Sequence, residues 1–86
     1  MITKETTPVQ WAMFMYELED AKEHLSNLIS DINNDPEYDE SALRVDLGHI
    51  YSHLNRAWYQ HKTELDTANQ VEFEKASQFP CDLKPT

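Results

Sequence analysis

Apolar residues recur at alternating three- and four-residue steps through two stretches of this chain, with a polar break between them. In the first, Trp11, Phe14, Leu18, Ala21, Leu25, Leu28 and Ile32 keep the spacing without interruption. In the second, Leu43, Leu47, Ile50, Leu54 and Ala57 continue it, and His61 takes the next step. Residues so spaced fall on one side of an α-helix. The break, Asn33-Asn34-Asp35-Pro36-Glu37, stops one helix and begins another. The pattern predicts an all-α antiparallel helical hairpin.

Local signals set its bounds. Thr7 can cap the first helix, Pro8 suits its first position, and Gln10 can close a capping box. A helix over about 8–32 follows. Asp35 with Pro36 resembles a second cap, although Asp39 or Ser41 can serve instead, and this helix runs over about 36–65. A short helix over about 67–78 can open with a capping box at Thr67 and Gln70. Alternatively the second helix continues, with Leu65, Ala68 and Ala76 extending its face. The chain thus reads as an N-terminal tail (1–7), one helical domain (8–79) and a C-terminal tail (80–86).

Folded antiparallel, the two seams pair Leu28 with Leu47, Leu25 with Ile50, Ala21 with Leu54 and Leu18 with Ala57. Small then opposes large in successive layers. Met15, Ile29, Tyr51, Trp58 and Leu65 widen the apolar face beyond what two helices cover. Either the C-terminal segment folds back with Val71, Phe73 and Phe79, or a second copy completes a four-helix bundle. The flanking apolar residues run along the hairpin, which favours the homodimer. Trp11, Phe14, Met15, Tyr16, Tyr51 and Trp58 are the expected interface, and the expected partner is a second copy or another helical protein. Gly48, inside the second helix, marks either a close helix approach or a solvent-facing position.

Composition narrows the function. A lone glycine and few β-branched residues leave little material for strands and tight turns. A formal charge of −9, with seven scattered basic residues, argues against gripping nucleic acid or anionic lipid. An acidic inhibitor that occupies a basic site is compatible with that charge. The apolar run Trp11 to Tyr16 is far shorter than the roughly 20 residues of a membrane span. With no apolar leader at the N-terminus, a cytoplasmic location is expected. The single cysteine, Cys81, cannot form an intrachain disulfide. No glycine loop, Ser-His-Asp order or CxxC pair occurs, so neither an enzyme nor a cofactor is expected.

One constellation bears on metal chemistry. His49 and His53 stand four apart on one helix face, with Asp46 a turn earlier. In the hairpin, His24 falls on the same edge, with Asp20 one turn before it. His24, His49 and His53 are therefore the candidate metal ligands. The carboxylate clusters Glu17-Leu18-Glu19-Asp20 and Asp39-Glu40 read as a solvated face or a helix start, with none of them on the seam. Arg56 and His61 enclose an R-x4-H spacing, which resembles the ribonuclease motif of the HEPN superfamily of helical toxins. That resemblance covers six residues and implies an RNA-cleaving role for Arg56 and His61. It departs from the family at Ala57, where a polar residue is usual, and in chain length. The expected function is protein–protein interaction or self-association, with metal binding and a HEPN-like ribonuclease as alternatives.

Overall fold

The computed structural model describes residues 1–62 and 70–86, and the described residues are helical with no strand. Among the described residues three helices follow one another: α1 (Pro8–Asn34), α2 (Glu40–Gln60) and α3 (Gln70–Ala76). The long α1 and α2 pack against each other as the expected hairpin, and α3 lies against α2.

Helix ends differ from the sequence expectation for identifiable reasons. Thr7 precedes α1, but its hydroxyl makes no cap. Instead it donates to the Thr3 carbonyl at 2.9 Å and accepts from the Thr3 amide at 3.0 Å, within a turn over residues 4–6. At the other end α1 runs two residues past Ile32. Asn33 and Asn34 donate their side-chain amides back to the carbonyls of Ile29 and Ser30, both at 2.8 Å. The second helix opens at Glu40, not Pro36. Asp35 accepts the Glu37 amide at 2.9 Å in a tight turn, leaving Asp39 to cap Ala42 at 2.9 Å. The expected continuation to Leu65 and the Thr67 start lie outside the described residues, as does the side chain of Val71.

The hairpin closes on a different stripe from the one the apolar repeat marks. Ala21, Leu28, Ile50 and Ala57 are buried, with Tyr38 and Leu43 packed beside them. Leu25, Ile32, Leu47 and Leu54, all expected in the seam, are exposed. Their places between the helices are taken by Glu17, His53 and Arg56, each buried. Each helix has turned by about half of the 100° step between successive residues. The turn sets small Ala21 and Ala57 at the contact and gives the buried polar groups partners across it.

Both chain ends cover the open end of the hairpin. Ile2 is buried and donates its amide to the His61 carbonyl at 2.9 Å. Beyond α3 the chain runs back along α2: Phe79 sets its ring 5.2 Å from Tyr51, and Trp58 donates its indole N–H to Asp82 at 3.0 Å. Of the expected interface residues, Trp11, Phe14, Met15 and Trp58 are half-buried within the chain itself, while Tyr16 and Tyr51 remain exposed. A Cβ on Gly48 would meet nothing within 4 Å, so no helix approaches there.

Candidate metal centre

On the edge of the hairpin away from Leu25 and Leu54, two i, i+4 pairs face each other: Asp20 and His24 on α1, His49 and His53 on α2. Four ligand atoms, one from each residue, all lie within 4.8 Å of one another. His49 Nε2 stands 3.2 Å from His24 Nε2 and 3.2 Å from His53 Nε2. Asp20 Oδ2 stands 2.8 Å from His53 Nε2 and 3.6 Å from His24 Nε2. Ligands on a zinc ion at bonds of about 2.0–2.1 Å are separated by roughly 3.3 Å along a tetrahedral edge. Four of the six edges here, 2.8–3.6 Å, bracket that value, and the other two are no longer than 4.8 Å.

Proton bookkeeping makes the cluster unusual. An imidazole nitrogen carries at most one hydrogen, so a proton on His49 Nε2 serves only one of its two histidine neighbours. The His53 Nε2 lone pair repels Asp20 Oδ2 at 2.8 Å unless a proton or a cation stands between them. One divalent cation relieves all four contacts together. Burial holds the His49 pKa below the ordinary histidine value; the neighbouring His24, His53 and Arg56 add to the effect, and Asp20 opposes it. The neutral ring this favours is the form that binds metal.

Behind the cluster sits a buried support. His53 Nδ1 lies 2.6 Å from Glu17 Oε2, and Glu17 Oε1 accepts from Arg56 Nε at 2.9 Å. With Nδ1–H pointed at Glu17, the His53 Nε2 lone pair faces the other three ligand atoms. This carboxylate–histidine arrangement orients imidazole ligands in metal proteins. Glu17 is only 8% exposed and Arg56 only 5%. Glu17, expected on a solvated face, is instead buried between the helices. Glu17 shares its helix face with Ala21, His24 and Leu28, and that shared face was the available signal.

The structure brings His24, His49, His53 and Asp20 together and leaves Asp46 out, its carboxylate accepting the Tyr38 hydroxyl at 2.7 Å. Arg56 and His61 serve separate networks. Arg56 is committed to Glu17, whereas His61 donates Nδ1–H to the Trp58 carbonyl and packs on the Trp58 ring. Cys81 is exposed and free. Among the described residues no helix is long and apolar enough to cross a membrane. No protein-family model matches the chain, and no curated protein or solved structure matches it either.

Proposed function

We propose that this protein binds one divalent first-row transition ion through His24, His49, His53 and Asp20. The observation that carries the reading is the convergence of three imidazole Nε2 atoms and one carboxylate oxygen within 4.8 Å. A set of three nitrogens and one oxygen suits zinc, cobalt, nickel or copper, and lacks the oxygen ligands that calcium or magnesium needs. Two ligands come from each helix, so the ion clamps the hairpin on one edge and stabilises the folded state by mass action. Titration of the purified chain with Co²⁺ tests this. The expected result is visible ligand-field absorption that saturates at one equivalent and is lost in His49→Ala. A featureless spectrum contradicts it.

A second reading, self-association, is favoured by the opposite edge. Leu25, Ile29 and Ile32 of α1 and Leu47, Tyr51 and Leu54 of α2 are all exposed there. No large side chain among the described residues is sealed from water, so the hairpin's own core is thin. A second copy laid on this edge completes a four-helix bundle. The two readings use opposite edges and are compatible. Sedimentation equilibrium at micromolar concentration separates them: a dimer that Leu25→Glu dissolves supports the contact, and a monomeric wild-type chain rejects it.

A further inference from the structure

Arg56 connects the metal cluster to the end of the chain. Nε donates to Glu17 Oε1 at 2.9 Å, and Nη1 donates to the Ser77 hydroxyl at 2.8 Å. Nη2 lies 3.0 Å from His53 Nδ1, and the Phe73 ring covers the guanidinium carbon at 4.5 Å from its centroid. Ser77 then donates its hydroxyl to the Phe73 carbonyl at 2.8 Å, closing the last turn of α3. Asn55 beside it donates to the Ser77 carbonyl at 2.9 Å. One planar, rigid group thus grips both the carboxylate that orients a metal ligand and the hydroxyl that ends α3.

His53 Nδ1 sets the direction of the coupling. It cannot donate to Glu17 while accepting from Arg56 Nη2. If Nδ1 accepts, the ring proton of the neutral imidazole sits on Nε2 and blocks coordination. If Nδ1–H donates its hydrogen bond to Glu17, Nε2 is free for the ion; Nη2 then loses its acceptor on His53, and the guanidinium is held by Glu17, Ser77 and Phe73 alone. An ion on Nε2 selects the second arrangement.

Resting on the metal-binding reading, we infer that metal occupancy and docking of segment 73–82 are linked through Arg56. Metal binding steadies the docked segment, and by thermodynamic reciprocity the docked segment tightens metal binding. The site is then sensitive to whatever displaces the C-terminal segment from α2.

Two measurements on the full chain test the link. Hydrogen exchange of the amides in 73–82 is compared with and without one equivalent of Zn²⁺, and Co²⁺ absorption reports occupancy separately. Zinc is expected to slow exchange across 73–82. Removing the grip with Phe73→Ala and Ser77→Ala together is expected to weaken Co²⁺ binding about fivefold, the low end for coupled sites. The absorption bands themselves should not change. With Phe73 intact, Ser77→Ala should bind Co²⁺ more weakly than Ser77→Thr, which keeps the hydroxyl that Arg56 grips. Unchanged exchange and unchanged affinity, with normal Co²⁺ bands, overturn the link and leave the metal site standing. Absence of Co²⁺ bands in the wild-type chain overturns both.

Discussion

Single residues account for much of how this chain is held, and three of them make direct predictions. Gly48 sits mid-helix with open space where a Cβ would go. Gly48→Ala therefore removes the entropic penalty of glycine without a clash, and the expected gain is about 1 kcal/mol. A thermal melt should show it as a rise of about 4–8 °C, provided that unfolding is two-state. Asp82 ties the tail down, accepting from the Trp58 indole and pairing with Lys62. The Lys62 hydrogen bond, helped by the indole, lowers its pKa from 3.8 to about 2. A carboxylate whose folded pKa lies below its unfolded value stabilises the docked form above the unfolded value, and loses that effect as pH falls through the folded one. The Trp58 indole N–H resonance should therefore hold its position above pH 4 and move as the pH approaches 2; a midpoint near 4 contradicts the pairing. Tyr38 shifts the other way: burial first, and then its bond to Asp46, raise its pKa from 10.0 to about 12. Its contribution is present below pH 10 and is lost as the pH rises through 12.

At the scale of elements, the 3-4 repeat made the hairpin and its antiparallel course legible, because periodicity reports which side of a helix is apolar. It could not fix the rotation of each helix within a wide apolar face. That rotation is decided by Ala21 and Ala57, whose small side chains permit close contact, and by Glu17, Arg56 and His53, which satisfy one another across it. Periodicity treats a glutamate and an arginine as solvent-facing, so a buried ion pair among alanines escapes it. The His edge was legible for a related reason. Its i, i+4 pairs are visible in sequence, and any antiparallel register near the observed one brings the two pairs together. The buried pair yields the prediction for this level. Glu17→Gln keeps the shape but leaves the Arg56 cation without its carboxylate, and removing one partner of a buried pair costs about 3 kcal/mol. Urea unfolding of the metal-free chain measures it; a loss below 1 kcal/mol would mean that Arg56 reaches another anion or water.

The whole molecule is an acidic helical hairpin with different chemistry on its two edges. One edge gathers three imidazoles and a carboxylate, backed by Glu17 and Arg56. The other exposes an apolar stripe that includes Leu25, Leu47 and Leu54, while the C-terminal segment sets Phe79 beside the still exposed Tyr51 and Asp82 on the Trp58 indole. Imidazole nitrogen NMR decides whether the proposed metal ion sits on the first edge. On adding one equivalent of Zn²⁺ to ¹⁵N-labelled protein, the Nε2 resonances of His24, His49 and His53 should move to metal-bound values, with Nδ1 of His53 remaining protonated toward Glu17. His61, engaged with Trp58, should not move. If the three Nε2 resonances stay where they are at one equivalent, or if all four histidines shift alike, the cluster is not a metal site.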